Sequence, residues 1–413
     1  MSDGSSQPWY DVIVVGMGPA GASTAYELSH AGLSVLGLEK HTHPRYQVCG
    51  GALSARIDQI LPAEFKQVVE EAVYRLQFSY APKESFFVES KEPFAFMVMR
   101  SRFDTWLMTR AQQSGTDVHE DEAVKTLQPL PDGVEVTTTK GRYRSRVVVG
   151  ADGAMSVVAQ QLFPGRGLRN IPGLESEVFG VSEVQVPVFS ENGGENGGLK
   201  LAVISLNTAK KGYGWIFPKR DGLSIGVGEF VRGDSRPKRS FQQFLLEEPS
   251  LAGLTIPTPV GCPIPVFNRH PGLKGHKWNG GLVNGRAVLV GDAGHLVDPL
   301  LGEGIFYAVR SGQLAGASTA KILRHEHATL EEYEYAIMQE FAEEFRIASK
   351  LNRVVYGLLR SWHRWLGRTF PGPYQHVLHR YCQLLQGRET YQTLWVRAMK
   401  KIKPWPTTEM EVR

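Results

Sequence analysis

Three groups of residues have the types and spacing that chemistry on a bound dinucleotide requires. They are Gly16-x-Gly18-x-x-Gly21, the segment PRYQVCGG at 44–51, and the segment YGWIFPK at 213–219. Glycines let a backbone approach a phosphate or a planar ring closely, a cysteine thiol holds a transferable proton, and alternating aromatics can line an apolar pocket. A reaction chamber requires elements that bring these three groups together.

Residues 10–40 predict a β-α-β unit that binds a dinucleotide. An apolar strand leads into the glycines, a helix of small residues follows, and a second strand ends at Glu39. Gly16 permits a tight turn, Gly18 admits a pyrophosphate, and Gly21 lets the helix pack on the strand. The helix N-terminus attracts phosphate, and Glu39 is placed to bind a ribose. The fingerprint leaves open whether the dinucleotide is NAD or FAD.

Two later strand ends favour FAD. One strand ends at Gly150-x-Asp152, and another ends at Gly291-Asp292 before a helix that follows Gly304. Asp292 is suited to bind the hydroxyls of a ribityl chain, and the N-terminus of the helix supplies positive potential beside a reduced isoalloxazine. An enzyme that binds only NAD needs neither feature.

The motifs resemble those of the para-hydroxybenzoate-hydroxylase type of FAD protein and, within that group, the geranylgeranyl reductase family. The fingerprint, the Asp-Gly strand end and GDAGHLVDPLLGEGI carry the first resemblance, and PRYQVCGG with YGWIFPK carries the second. The match extends over roughly the first 330 residues, and Gln47 departs from it where a basic residue is common. The fingerprint and the resemblance together predict cofactor binding by Gly16, Gly18, Ala20, Gly21, Glu39, Lys40, Cys49, Gly50, Ala52, Arg100, Val124, Asp292, Gly302, Gly304 and Ile305.

The interleaved motifs predict an α/β (α+β overall) fold in three parts. The alternation of apolar and polar residues between the flavin motifs indicates a sheet, and turn clusters such as KRDG at 219–222 indicate hairpins. We expect ENGGENGG at 191–198 to be a flexible loop. The parts are a discontinuous Rossmann-like FAD-binding domain (8–75, 100–165 and 281–330), an antiparallel-sheet substrate domain (76–99 and 166–280) and a helical, basic C-terminal region (331–413).

Cys49 is predicted to line the reaction chamber. An arbitrary buried cysteine is most often a small hydrophobic residue. Here it precedes two glycines, lies ten residues after Glu39, and the family resemblance places this Cys-Gly beside the isoalloxazine. Proton donation and simple shaping of the pocket both remain open for the thiol. The resemblance also implies that Arg100 contacts FAD and that the backbone of Val124 touches the adenine.

Tyr213, Trp215 and Phe217 alternate and therefore project from one face of a strand. Such a stripe is commonly core, but the resemblance implies that it lines a tunnel for an isoprenoid chain. We hypothesise that Tyr213, Trp215 and Cys49 are catalytic. Protonation of an isolated alkene builds positive charge that electron-rich rings stabilise, and hydride from N5 of the reduced flavin completes the reduction.

Composition narrows the setting of the protein. The three cysteines have neither disulfide-framework nor zinc-site spacing, and no apolar run is long enough to cross a bilayer, so we expect a cytoplasmic protein without a metal. Residues 346–403 contain twelve Lys or Arg and one acidic residue, Glu389. Leucines, valine and tryptophan between 351 and 366 recur at helical spacing. This region suits peripheral membrane contact or, equally, packing on the protein body, and nothing resembles a nucleic-acid recognition module.

The resemblance implies reduction of C=C bonds in a geranylgeranyl chain carried by a diphosphate, a lipid, a chlorophyll precursor or a quinone. The alternatives are an FAD-dependent hydroxylase, a flavin-dependent halogenase with a related aromatic motif, and a flavin-bound membrane scaffold without activity. Because only one dinucleotide fingerprint is present, the electron donor is expected to be transiently bound NADPH or a ferredoxin-like protein.

Overall fold

The computed structural model describes most of the chain. The described residues are 9–81, 84–166, 170–181, 201–206, 208, 212–230, 235–267, 281–324, 329–358 and 363–401. The predicted flexible loop at 191–198 lies outside these ranges.

Eighteen strands and ten α-helices are present in the described residues. The strands are β1 (Trp9–Val15), β2 (Val35–Leu38), β3 (Ala52–Ser54), β4 (Val69–Val73), β5 (Arg75–Ala81), β6 (Glu84–Glu89), β7 (Ala95–Val98), β8 (Asp117–His119), β9 (Val124–Pro129), β10 (Val134–Thr138), β11 (Arg142–Gly150), β12 (Ile171–Phe179), β13 (Leu201–Ser205), β14 (Gly212–Lys219), β15 (Gly222–Glu229), β16 (Val260–Ile264), β17 (Val283–Asn284) and β18 (Ala287–Leu289). The helices are α1 (Pro19–His30), α2 (Arg100–Gln113), α3 (Val157–Leu162), α4 (Pro237–Glu247), α5 (Ile305–Arg324), α6 (Glu331–Ile337), α7 (Glu343–Asn352), α8 (His363–Thr369), α9 (Pro371–Leu385) and α10 (Tyr391–Lys401).

An eight-stranded sheet contains the predicted β-α-β unit. Strands β18, β11, β1, β2 and β8 run parallel in that order, so the three glycine-acid strand ends meet at one edge. Helices α1 and α5 pack together so closely that Gly312 has no room for a side chain. A Cβ there would lie 2.3 Å from the carbonyl oxygen of Ala20. This contact places the beginnings of both helices beside the same strand ends.

A seven-stranded sheet has the order β16-β12-β15-β14-β13-β5-β6. The predicted KRDG turn is confirmed, because Lys219 pairs with Gly222 across the two-residue connection of β14 and β15. The expectation of a purely antiparallel sheet is wrong at one place, where β13 and β5 are parallel. These two strands are far apart in the sequence, so no hairpin constrains their direction.

A three-stranded sheet of β3, β7 and β4 follows the Cys49 segment. It includes residues 95–98, which the sequence assigns to the substrate domain. The mixture of helices and sheets agrees with the predicted fold class, whereas the division of the chain into domains stays a prediction.

The C-terminal helices pack on the body of the protein. The hydroxyl of Tyr356 donates to the Leu300 carbonyl, and Leu351, Val355 and Leu366 pack against buried apolar clusters. The side chains of Leu358, Leu359 and Trp362 are outside the part that the structure describes. Among the described residues, no helix has the length and apolar character needed to span a membrane.

Candidate active site

A cavity of about 580 Å³ extends between the eight-stranded and seven-stranded sheets. Every predicted site residue except Gly21 lines it. Gly21 instead supports the fingerprint, because a Cβ there would lie 1.8 Å from the Gly16 carbonyl oxygen. Strand ends, the Cys49 loop and the aromatic strand therefore converge on one space, as the three sequence motifs require.

The fingerprint forms an anion-binding end of the cavity. Gly16 has a φ of +91°, which favours glycine, and Gly18 caps α1 without a side-chain hydrogen bond to the first amides. The amides at the helix N-terminus are therefore available to a phosphate. A guanidinium nitrogen of Arg45 lies 3.5 Å from where a Cβ on Gly18 would be. Sequence reasoning missed Arg45, although it lies within the PRYQVCGG motif.

Glu39 is held in place at the end of β2. Its carboxylate accepts hydrogen bonds from the backbone amides of Met17 at 2.9 Å and His41 at 3.1 Å, and Arg45 lies 3.8 Å away. The side chain is buried but borders the cavity. This arrangement suits the predicted contact with a ribose. Lys40 and Val124 also line the cavity, and their contact with the nucleotide stays a prediction.

Arg100 connects the cavity to the Cys49 loop. Its guanidinium donates two hydrogen bonds of 2.8 Å to Asp104, which also pairs with Arg45 at 3.2 Å. Burial disfavours its charge, but Asp104 and the Cys49 side chain outweigh burial and raise the pKa of Arg100. The cation beside Gly18 is thus Arg45, whereas Arg100 contacts the thiol of Cys49.

Asp292 follows β18 at the same edge of the eight-stranded sheet, beside the N-terminus of α5. Burial raises the pKa of Asp292, and the charge of Arg100 partly opposes this. A Cβ on Gly304 would lie 3.5 Å from an Asp292 carboxylate oxygen and 3.3 Å from Val297. Gly302 has a φ of +68° and adjoins Phe230, so the loop before α5 needs glycine for both conformation and space.

The two glycines after Cys49 make room for the seven-stranded sheet. A Cβ on Gly50 would lie 2.9 Å from the Phe217 ring and 3.0 Å from Nε1 of Trp215. A Cβ on Gly51 would lie 2.6 Å from Nζ of Lys219. The sequence predicts that Gly50 and Gly51 let a planar cofactor approach the backbone closely. On this side of the two glycines, side chains of β14 make that close approach instead.

Lys219 is a buried cation that the sequence interpretation missed. Its ammonium donates to the carbonyls of Gly50 at 2.7 Å and Val98 at 2.9 Å. Burial lowers the pKa of Lys219 to about 8, although Cys49 and nearby glutamates favour its charged form. Lys219 continues the alternation of Tyr213 and Trp215 and therefore lies on the same face of β14. This spacing could have identified Lys219 from the sequence.

Tyr213, Trp215 and Phe217 occupy alternate positions of β14, and all three line the cavity. The rings of Trp215 and Phe217 stack with centroids 6.0 Å apart, and Tyr213 stacks on Phe230 at 5.6 Å. The Tyr213 hydroxyl donates to the Leu301 carbonyl. Burial raises the pKa of Tyr213. Its ring is therefore available to the cavity while its proton is engaged elsewhere.

Beyond the aromatic stripe the cavity wall becomes apolar. The walls come from β5, β7, β13 and α9, through Leu76, Ala95, Met97, Ala202, Ile204 and Leu385. An apolar wall of this kind accepts hydrocarbon rather than a charged nucleotide. The C-terminal helix α9 thus contributes to the wall of the cavity.

The residues present fit FAD. An uncapped helix N-terminus with Arg45 matches a diphosphate, Glu39 matches a ribose, and Asp292 matches a polyol. Gly302 and Gly304 add no side chains to the cradle before α5. The donor and acceptor set therefore matches the polar parts of FAD.

Comparison with known proteins supports this assignment. Residues 9–190 match the family described as an FAD binding domain. The chain is 26% identical to the geranylgeranyl diphosphate reductase of Rhodobacter capsulatus over 84% of each protein. It is 28% identical to digeranylgeranylglycerophospholipid reductase 1 of Methanopyrus kandleri, over 83% of this chain and 89% of that protein.

Solved structures show the same fold. A geranylgeranyl bacteriochlorophyll reductase-like protein from Thermoplasma acidophilum aligns with a TM-score of 0.69 and 20% identity, covering 85% of this chain and 89% of that one. The flavin-dependent brominase Bmp2 aligns with a TM-score of 0.68 and 18% identity, covering 95% and 98%. The chain is therefore an FAD-dependent oxidoreductase that has geranylgeranyl reductases among its homologues.

Proposed function

We propose that the protein hydrogenates C=C bonds of a geranylgeranyl or related isoprenoid chain carried by a diphosphate, a lipid, a chlorophyll precursor or a quinone. The observation that carries this proposal is the continuity of one cavity from the FAD motifs, past Cys49 and the aromatic stripe, to an apolar wall. The reductases among the homologues support the same substrate class.

The chain's own residues would orient the alkene and manage its charge. Bound FAD, once reduced, supplies the hydride. Trp215 and Tyr213 line the cavity, and aromatic rings there would stabilise positive charge that develops on an alkene carbon as it is protonated. Cys49 is the candidate proton holder, because its thiol lies in the cavity wall and contacts Arg100. The apolar wall excludes water from the reacting carbons.

The test uses the FAD-loaded protein under anaerobic conditions. The flavin is reduced chemically, and geranylgeranyl diphosphate or a digeranylgeranyl glycerophospholipid is added. We expect products heavier by successive pairs of hydrogen atoms, measured by mass spectrometry. Reoxidation of the flavin without any such product from either substrate would refute the proposal.

A second candidate is an oxygen-dependent reaction, either hydroxylation or halogenation. The fold likeness to brominase Bmp2, which extends over 95% of the chain, favours considering it. In air, with bromide and a phenol, a halogenase would give a product that contains bromine, and a hydroxylase would add one oxygen. Products that form only in air would replace the reductase proposal with this one.

We also propose that NADPH or a ferredoxin-like protein delivers the electrons and that the C-terminal region contacts a membrane peripherally. The basic composition of residues 346–403 supports the membrane contact. Anaerobic stopped-flow measurements of flavin reduction by each donor distinguish the two donors. A rate with NADPH that matches turnover would exclude any need for the protein donor.

A further inference from the structure

Glu175 is a buried glutamate that neither the cofactor motifs nor the proposed reaction uses. It lies in β12, fully buried, opposite Gly226 of β15 and Val260 of β16. A carboxylate in such a place must be hydrogen-bonded to be tolerated, so its partners reveal what holds it there.

A chain of hydrogen bonds passes through Glu175. The hydroxyl of Tyr46, on the Cys49 loop, donates to Oε2 at 2.9 Å, and the hydroxyl of Ser224 donates to Oε1 at 3.0 Å. Nε1 of Trp215 in turn donates to the oxygen of Ser224 at 3.3 Å. The carboxylate thus connects the loop that carries Cys49 to the candidate aromatic group.

The indole of Trp215 is held by packing on two sides and by one hydrogen bond. It covers Gly226, where an added Cβ would fall 2.1 Å from Cζ2 of the ring. The ring also stacks on Phe217, and its N–H points to Ser224. Removal of the Ser224 contact would leave the ring without its only polar restraint among the described residues.

The charge of Glu175 is set by groups on several elements. Burial raises the pKa of Glu175 to about 7, and Glu177 on the same strand adds to this. Tyr46 on the loop, Ser224 on β15 and Lys219 on β14 act in the opposite direction. The thiol of Cys262 on β16 also faces the carboxylate.

We infer that Glu175 is a positioning residue of the site, which fixes the indole of Trp215 through Ser224 and the Cys49 loop through Tyr46. When ionised, the carboxylate accepts from both hydroxyls, and hydrogen bonds to a charged acceptor are the stronger kind. When protonated, it must donate one of its own hydrogen bonds, so one hydroxyl has to reverse its direction. The hydrogen-bonded surroundings of the Trp215 indole therefore follow the protonation of Glu175.

The test observes Trp215 directly in the full-length, FAD-loaded protein. The eight tryptophans are labelled with 5-fluorotryptophan, and the Trp215 signal is identified by its loss in Trp215→Phe. We expect its ¹⁹F resonance to move between about pH 5.5 and about pH 8.5, with one midpoint near neutrality. A resonance that stays still over this range would overturn the inference.

Four variants separate the links of the chain. Glu175→Gln and Ser224→Ala should each abolish the titration at Trp215. Tyr46→Phe should raise the midpoint, because it removes a donor to the ionised carboxylate. Glu177→Gln, the matched control on the same strand, should keep the titration and lower its midpoint, because it removes a repulsive charge.

An unchanged titration in Glu175→Gln would refute the role of this carboxylate. Should that variant fail to bind FAD, Ser224→Ala decides the matter, because an unchanged titration there would refute the link to Trp215. The positioning of Trp215 by Glu175 does not depend on the proposed function. Only the effect of Trp215 on a substrate rests on that function. A titration without reductase activity would overturn the proposed function alone, and reductase activity without a titration would overturn the positioning role alone.

Discussion

At the scale of single residues, two buried cations act on Cys49. Arg100 contacts its thiol, and the ammonium of Lys219 holds the carbonyl of the next residue, Gly50. Arg100 begins α2, and Lys219 ends the aromatic strand β14. The position of the thiol therefore depends on both of these elements. The sequence pointed to Cys49 through its glycine neighbours and to Arg100 through the family resemblance, whereas the burial of Lys219 beside Gly50 is visible only in the structure.

Replacement of Cys49 tests whether the thiol takes part in the reaction. Cys49→Ser and Cys49→Ala should leave FAD bound, because the cofactor motifs of the fingerprint and of α5 are untouched. Turnover should fall by roughly 10²-fold, the usual loss when a positioned proton donor is removed. Anaerobic single-turnover kinetics measure the effect, and Cys382→Ser, in α9, is the control. Unchanged turnover in both Cys49 variants would restrict the residue to shaping the pocket.

The burial of Lys219 makes a prediction about stability and pH. Its pKa is lowered in the folded protein to about 8, so the unfolded chain binds the proton more tightly. The resulting penalty is present at neutral pH and is relieved as pH rises from about 8 towards the ordinary lysine value. Relative to Lys219→Met, the wild type should gain about 2 kcal/mol of unfolding free energy between about pH 7.5 and pH 10.

Urea unfolding of both proteins at the two pH values measures this gain. Arg220→Met, at the exposed neighbouring position, is the control, since arginine stays charged throughout and its difference from the wild type should not change with pH. A difference between the wild type and Lys219→Met that stays constant with pH would show that the ammonium is not penalised by burial.

At the scale of elements, β15 shapes the aromatic face by omitting side chains. Gly226 lies directly opposite Trp215, and its missing Cβ is the space that the indole occupies. Gly228 lies two residues further on the same face, where an added Cβ would have no neighbour closer than 3.6 Å. The two glycines share a strand and a face but differ in the crowding above them.

This contrast predicts different outcomes for the same substitution. Gly226→Ala should destabilise the protein by about 1–3 kcal/mol, because the methyl group overpacks against the indole. Gly228→Ala should change stability by less than about 0.5 kcal/mol. Thermal unfolding measures both, and near-ultraviolet circular dichroism reports displacement of the tryptophan. Equal effects of the two variants would contradict the assigned packing.

Local signals predicted the elements that build the FAD side. The glycine fingerprint lies between β1 and α1, Asp292 follows β18, and the helix after Gly304 begins at Ile305, as expected. The parallel pairing of β13 with β5 could not be predicted, because it joins strands more than a hundred residues apart and no turn records it. Glu175 and Lys219 were missed for a related reason. A charged residue in a strand is expected to be exposed, and only the neighbouring strands show that these two are buried.

At the scale of the whole molecule, the C-terminal helices are part of the body. Tyr356 bonds to the loop before α5, and Leu385 lines the cavity. Leu351, Val355 and Leu366, half of the apolar stripe identified in the sequence, face the protein. Deletion of this region would therefore uncover the core and remove cavity wall. A membrane contact has to be tested by substitution of residues that are exposed in the folded protein.

Trp365 and Phe370 offer such a test. They are 48% and 47% exposed, contact each other edge to face at 5.4 Å, and lie in the basic region beside Arg368. Aromatic side chains among basic residues bind the interface of an anionic bilayer. The double variant Trp365→Ser/Phe370→Ser should weaken binding to vesicles that contain anionic lipid by roughly tenfold or more, given the apolar area removed. Cosedimentation measures this.

The control for this prediction is Leu246→Ser in α4, which replaces a side chain that is 88% exposed and lies outside the basic region. It should leave vesicle binding unchanged. Added salt should weaken the wild-type protein's binding to anionic vesicles, because screening reduces the attraction of the basic residues to the headgroups. If the double variant bound as tightly as the control, the two aromatics would have no part in a membrane contact. The contribution of α9 to the cavity wall would then be the role of this region that the structure supports.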